Sequence, residues 1–526
     1  MSRFSTLTSI SESPVVAGLL YTGSDDGLVH VSDDGGATWR QAARPPGVSE
    51  RFFVNDVKAD LHDPDTVYLA GDDHKIGDFS PHLFQSTDRG ASWRSIASNL
   101  PDRHLVWRLV QDPVKPELLF VGTEFGIYFT VDGGGRWIEL TGGAPTIPFR
   151  DLAIQTREND LVGASFGRGF WILDDYTPLR HVDERALASE ALLFPVRTAR
   201  WYIERRTLGF ETKASQGNAY FTAPNPPFGA IVTYYLADGY KSAGDRRRET
   251  EKERAEAGED NPSPGWDALE EEAREEAPAI VLTVRDAAGE VVRRLEGPAG
   301  PGFHRVAWDL RYAPTDAQTP EFDPEFSFGR PAGPGTYSVG LAKRVGGELT
   351  DLGLSESFEV VDIAEGTLAG DDAASRAFRR ELDEANRVAD GIGNLLGATG
   401  ERLAGLKAAL LRSTTTELDG DVRALEQRLA DLRRQLSGSE VKGDYNQPDR
   451  PSISDRIQTA FLGVGFSDYG PTPTHRRTLE IAQGQLASLR DALDRLINQD
   501  LAALEARAEA AGVPWSPGRG VPRWQP

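Results

Sequence analysis

Along the first third of the chain, short apolar runs alternate with polar, turn-rich stretches, and the order of the pieces recurs. Leu19-Leu20-Tyr21-Thr22-Gly23, Val67-Tyr68-Leu69-Ala70-Gly71 and Leu118-Leu119-Phe120-Val121-Gly122 are apolar strands ending in small residues. A strand of alternating character follows, as in Leu28-Val29-His30-Val31 and Gly126-Ile127-Tyr128-Phe129. Period-two alternation between turn residues predicts half-buried β-strands. Next comes a turn of fixed pattern, S/T-x-D-x-G-x-x-W, at Ser32 to Trp39, Ser86 to Trp93 and Thr130 to Trp137. A fourth copy, Leu152-Ala153-Ile154, Leu161 to Ala164 and Gly169 to Leu173, lacks the turn. The turns recur at roughly 50 residues, the size of one blade, so about four units predict part of a β-propeller.

Each position of the turn has a physical task. Asp34, Asp88 and Asp132 can accept hydrogen bonds from backbone N–H groups and so fix a hairpin turn. Gly36, Gly90 and Gly134 permit positive φ, and Trp39, Trp93 and Trp137 pack the turn against its blade. These nine residues are therefore read as structural.

The pattern then changes twice. A connector spans 181–225, after which five short alternating segments begin at Ala230, Ala279, Phe303, Gly335 and Ser357. They predict a β-sandwich over 181–365, resembling fibronectin or immunoglobulin modules. The charged stretch 241–276, with Arg246-Arg247-Arg248 and Glu270-Glu271-Glu272, reads as a mobile or helical surface insertion. From Asp371 the period is helical. Phe378, Leu382, Ala385, Ala389 and Ile392 recur at alternating steps of four and three, as do Val422, Leu425, Leu429, Leu432 and Leu436, and Leu486, Leu489, Leu493 and Leu496. Thr472-Pro473 supplies an N-cap and a proline at the first helical position. The division is thus a partial propeller over 1–180, a sandwich over 181–365 and a helical bundle over 366–526: mainly β, with an α C-terminal region.

Composition narrows the partners. With 58 Lys+Arg against 81 Asp+Glu the net charge is −23, which argues against a nucleic-acid ligand. Cysteine is absent, which excludes disulfides, thiolate catalysis and cysteine metal sites. No apolar run approaches the ~18 residues of a membrane span. Met1 to Leu20 lacks the basic start and apolar core of a secretory signal.

The three turns resemble the Asp-box, or BNR, repeats of sialidases, two-propeller xyloglucanases and sortilin-type propellers. The chain is most similar to large bacterial propeller proteins labelled sortilin-like or "glycosyl hydrolase". Leu118 to Gly126, Phe166 to Asp175 and Arg305 to Arg311 carry that likeness. The resemblance implies a secreted or cell-envelope location. It also implies a much longer protein with more blades, so the chain reads as the C-terminal half of one, split or truncated. An open fan of blades exposes strand edges and apolar faces, which invites self-association or a partner chain that completes the propeller.

Candidate chemistry is sparse. The eight histidines are scattered without H-E-x-x-H spacing, and neither a metal nor a cofactor is expected. No G-x-S-x-G elbow occurs, and Gly167-Arg168-Gly169 reads as a turn. Glycoside hydrolysis needs two carboxylates about 5–9.5 Å apart. Asp25, Asp26, Asp73 and Glu124 lie in corresponding loops, and Asp56 and Asp151 at equivalent strand starts. These six are the catalytic candidates. The sialidase pattern fits less well, because Phe149-Arg150-Asp151 follows the repeated turns instead of preceding them. The sequence is read as a non-catalytic binding or scaffolding protein that recognises a protein or glycan at the propeller face. The alternative is a glycoside hydrolase using paired rim carboxylates.

Overall fold

The computed structural model describes residues 5–204, 219, 221–318, 328–363, 372–465 and 469–522. The chain forms two compact units, the first from Met1–Pro195, Thr233–Lys241 and Ala299–His304, the second from Val196–Val232, Ser242–Pro298 and Arg305–Pro526. It is mainly β up to Asp362 and helical beyond. Among the described residues no helix is long and apolar enough to cross a membrane.

The first unit contains four successive antiparallel meanders, the sheets of a partial β-propeller. Sheet 1 runs through Leu7–Glu12, Leu20–Ser24, Val29–Ser32 and Arg40–Gln41. Sheet 2 comprises Phe53–Ala59, Val67–Asp73, Asp78–Ser86 and Arg94–Ser95. Sheet 3 comprises Val106–Gln111, Leu119–Thr123, Gly126–Thr130 and Ile138–Glu139. Sheet 4 has three strands, Phe149–Gln155, Asp160–Ser165 and Phe170–Leu173. The first strands of successive sheets lie against one another, so they form the inner side of the array.

Apolar side chains from neighbouring sheets interleave to make three cores. Tyr21, Val29 and Val31 meet Val54 and Val57. Tyr68, Leu83 and Ile96 meet Val106 and Leu109. Phe120, Ile127 and Phe129 meet Phe149 and Leu152. Each such side chain stabilises the array by about 1.5–3 kcal/mol relative to exposure. The small residues ending the second strands have their reason here. A Cβ on Gly23 would lie 2.4 Å from Val54 Cγ1, and one on Gly122 would lie 2.6 Å from the Phe149 carbonyl oxygen.

In the repeated turns, Asp34 accepts from the Thr38 N–H at 2.8 Å and Asp88 from the Ser92 N–H at 2.8 Å. Asp132 accepts from the Arg136 N–H at 3.0 Å. The preceding hydroxyls of Ser32, Ser86 and Thr130 donate to these aspartates and accept from the N–H of Gly36, Gly90 and Gly134. Those glycines hold φ of 91°, 80° and 97°, where a β-carbon would be strained. Beyond the turn, the Trp93 indole donates to the Ala43 carbonyl at 2.8 Å and that of Trp137 to the Ile96 carbonyl at 2.7 Å. Both carbonyls belong to the preceding sheet's exit segment. Trp39 has no such partner: it donates to Gly36 of its own turn and is 43% exposed.

In the second unit a five-stranded sheet orders Ala199–Trp201, Glu348–Asp362, Gly335–Val345, Ala279–Asp286 and Val291–Gly297. Buried Trp308 packs on Tyr337 and Phe358 with ring centroids 4.9 and 6.1 Å away. The charged insertion contains two helices, Ala243–Ala257 and Trp266–Arg274, joined by Arg247 and Glu272 at 2.8 Å. In the helical region the periodic leucines of Asp419–Ser437 and Pro473–Arg495 share one core with Phe378, Leu382 and Ile392 of Asp372–Leu410. The Thr472 hydroxyl caps Pro473–Arg495 by accepting from the His475 N–H at 3.3 Å.

Candidate functional site

All four inner strands carry a β-bulge at the same place. The extra residue is Thr8, Asn55, Trp107 or Arg150, opposite the small residues of the adjoining second strand. A bulge re-aims the side chains around it. Here it turns two successive residues of each strand toward the neighbouring sheet. The bulged residues bond sideways: the Thr8 hydroxyl donates to the Val54 carbonyl at 2.7 Å and the Asn55 amide to the Val106 carbonyl at 3.0 Å. Arg150 stacks on Trp107, its guanidinium carbon 3.5 Å from the ring centroid.

The residues after the bulge, Ser9, Asp56, Arg108 and Asp151, form a polar row across the four sheets. The Ser9 hydroxyl donates to Asp56 at 3.2 Å. Arg108 reaches Asp56 at 2.8 Å with Nη1 and Asp151 at 2.7 Å with Nε. Asp56 is almost wholly buried and also accepts from the Leu109 N–H at 3.2 Å. Burial pushes its carboxyl above the ordinary value, with Arg108 pulling the other way. Burial also opposes the Arg108 charge, but Asp56 and Asp151 outweigh it and raise its pKa. The two candidate acids on inner strands thus share one guanidinium.

Of the other candidates, Asp25, Asp26 and Glu124 sit in the turns between second and third strands and Asp73 ends the second strand of sheet 2, each with a partner close by. Asp25 accepts from the Thr6 N–H at 2.8 Å, and Asp26 from the Ser24 hydroxyl. Burial works against the Asp26 charge, yet that hydroxyl and its neighbours hold its pKa below the ordinary value. Asp73 accepts from the Ser49 N–H at 2.8 Å and its hydroxyl at 2.6 Å. Glu124 accepts from the Trp107 indole at 3.0 Å and lies 3.9 Å from Arg150. Next to this last group, Phe166 lies 5.3 Å from Arg150 and is 69% exposed. Phe125 is exposed and meets the His104 ring edge-on at 5.2 Å. The result is a surface of aromatic rings around one stacked cation.

Two groups went unread in the sequence. Asp60 and Asp112 organise the turns between first and second strands. Asp60 accepts from the His62 and Asp63 N–H groups, and Asp112 from those of Val114 and Lys115. Fully buried Asp112 also takes the Tyr176 hydroxyl at 2.7 Å and Arg180 at 2.8 Å. The repeated D-x-x-x-P at Asp60 to Pro64 and Asp112 to Pro116 was the available signal. Asp73, Asp78 and His82 form the second group, with one ligand atom each within 4.8 Å of the others. Asp73 is committed to Ser49, and His82 Nε2 lies 2.9 Å from Asp78.

No protein-family model matches this chain, and no curated protein matches it. Among solved structures it is similar to YCF48 bound to D1 peptide, at 18% identity over 34% of this chain and 54% of that one, TM-score 0.26. It is similar to the GH74 xyloglucanase from Xanthomonas campestris at 16% identity over 30% and 26% of the two chains, TM-score 0.24. The GH74 enzyme of Niastella koreensis matches at 13% identity over 45% and 29%, TM-score 0.26. The chain thus spans about half of YCF48 and less of the GH74 enzymes. These neighbours are β-propeller proteins, and at such scores neither their ligands nor their activities carry over.

Proposed function

We propose that this chain is a non-catalytic binding or scaffolding protein of the Asp-box, sortilin-like propeller type. Its ligand is a protein or glycan held on the rim formed by Trp107, Glu124, Phe125, Arg150 and Phe166. The same reading takes the protein as secreted or in the cell envelope. It also keeps the division into propeller, sandwich and helical bundle at 1–180, 181–365 and 366–526. The observation that carries it is Arg108, which engages Asp56 and Asp151 together. A glycosidase needs one acid free to protonate the leaving oxygen and a second free to serve as nucleophile or base. A guanidinium shared by the two inner-strand acids works against both roles, and exposed Phe125 and Phe166 offer contact area instead.

The test places the immobilised full chain before xyloglucan and cello-oligosaccharides and before a displayed random-peptide library. Retention of one class unchanged is expected, with binding lost in Phe166→Ala and Arg150→Ala. New reducing ends released from either glycan, and abolished by Asp151→Asn, would establish the hydrolase instead.

A further inference from the structure

The hairpin between second and third strands is short in three of the four sheets. At its mouth Ser24 meets Leu28 in sheet 1, Thr123 meets Gly126 in sheet 3 and Ser165 meets Gly169 in sheet 4. In sheet 2 the corresponding pair is Gly71 with His82, and the longer excursion carries a further pair beyond it, Asp73 with Asp78. Register therefore sets two carboxylates directly opposite one another, which destabilises a strand pair when both are charged.

Nothing basic on a long side chain relieves them. Asp73 is buried, and among the described residues neither it nor Asp78 pairs with a lysine or arginine. Asp56, Asp112 and Asp151 differ in this, since a guanidinium holds each of them. The group that faces both acids of the hairpin is the His82 imidazole, with Nε2 2.9 Å from Asp78. Two rings fix its orientation: Phe52 meets it edge-on at 5.6 Å and Phe84 stacks on it at 6.2 Å.

We propose that Asp73, Asp78 and His82 bind a divalent transition-metal ion of the zinc type, which pins the long hairpin of sheet 2. Two carboxylates balance the charge of the dication, and a neutral imidazole supplies the nitrogen. One ligand atom from each residue lies within 4.8 Å of the others. Ligands about 2.0–2.2 Å from zinc stand about 3.5 Å apart, so small side-chain rotations close the set. Calcium prefers about six to eight oxygens and magnesium an octahedral oxygen shell, so a three-residue set with one imidazole favours the zinc class. Ser49 does not compete with the metal. Its N–H and hydroxyl each donate to a different Asp73 oxygen, leaving a lone pair on both. Such bonds behind a ligand orient it. Sequence spacing gives no sign of the set, because strand pairing brings His82 back beside Asp73.

The experiment is calorimetric titration of Zn²⁺ into the full chain, stripped with a chelator and carrying no affinity tag, with Co²⁺ absorption as a spectroscopic check. A single equivalent is expected with Kd of about 1 µM or tighter, together with visible Co²⁺ bands and a raised melting temperature. Asp78→Asn and His82→Gln should each weaken binding at least about a hundredfold and remove the Co²⁺ bands. Asp78 is partly exposed, so Asp78→Asn should melt near wild type without metal and decides the matter should His82→Gln fail to fold. Ser49→Ala should weaken binding about 10–100-fold through Asp73. Exposed His181 lies outside the set, and His181→Gln should bind as wild type does. No binding up to about 100 µM Zn²⁺ would overturn the proposal. So would binding indifferent to Asp78→Asn, which would put the ion on other histidines. Tighter binding of Ca²⁺ or Mg²⁺ than of Zn²⁺ would overturn the choice of metal.

Discussion

Arg108 Nη1 lies 2.8 Å from the carboxylate of Asp56, tying together the inner strands of two successive sheets at the residue after each bulge. The same guanidinium reaches Asp151 on the next inner strand, so one side chain spans three sheets. The two carboxylates differ in environment: the Asp56 side chain is 4% exposed and that of Asp151 59%. Removing Arg108 should therefore cost much more than removing Asp151. Arg108→Ala leaves a buried carboxylate uncompensated, at about 3 kcal/mol. That predicts a fall of roughly 6–12 °C in the melting of the first unit. Asp151→Asn should cost no more than about 1 kcal/mol. Calorimetry on both variants checks the ranking.

The indoles of the repeated turns should form a graded series. Trp137→Phe strands the Ile96 carbonyl in a buried junction and should destabilise by about 1–3 kcal/mol. Trp93→Phe should cost less, since Trp93 is only half-buried. Trp39→Phe should stay within about 0.5 kcal/mol, as for an ordinary surface change. Denaturation midpoints measured side by side test the order. An equal loss at Trp39 would mean that its face is already covered in solution.

Asp112 is the buried acid with most to lose. Asp112→Ala removes the partner of Arg180 and Tyr176 and frees two backbone N–H groups, predicting a loss of about 3–5 kcal/mol. Asp112→Asn keeps an acceptor for the turn and should lose less. Burial works against the Asp112 charge, but Arg180 and its other partners hold the pKa below the ordinary value. Its stabilisation is thus present above the unfolded carboxylate range and lost as pH falls through the lower folded value. Melting as a function of pH for wild type against Asp112→Asn reads this difference.

Asp34 gives a local pH prediction. Hydrogen bonds from the Thr38 hydroxyl and N–H, then from Ser32, lower its pKa from 3.8 to about 2. The depressed folded value means that the turn gains from ionised Asp34 at any pH above 3.8, and loses that gain as pH falls through about 2. The Thr38 amide resonance should therefore titrate near 2 and be flat in Asp34→Asn.

Much of the local architecture was legible in the residue pattern. The S/T-x-D-x-G-x-x-W turns could be read because each bond inside them joins residues within four positions, as from Asp34 to Thr38. The helical stripes were legible for a related reason: Leu425, Leu429, Leu432 and Leu436 lie on one helix face by period alone, and all four are buried. The candidate site was legible only as residue types. Asp56 and Asp151 stood out as equivalents, but nothing near them in sequence announced that Arg108 would hold both. Asp60 and Asp112 escaped notice because their acidic turns lack the tryptophan that made the other turns conspicuous.

By itself the sequence determined the repeat, the turns, the helices and the residue types along each inner strand, because these depend on propensity and spacing within one element. Tertiary structure alone decided which acids are neutralised and which apolar residues are left uncovered. Leu7 and Val54 are both aliphatic residues just before a bulge, yet one is 65% exposed and the other wholly buried. The difference is the presence of a preceding sheet, and burial depends on neighbours that no local pattern records.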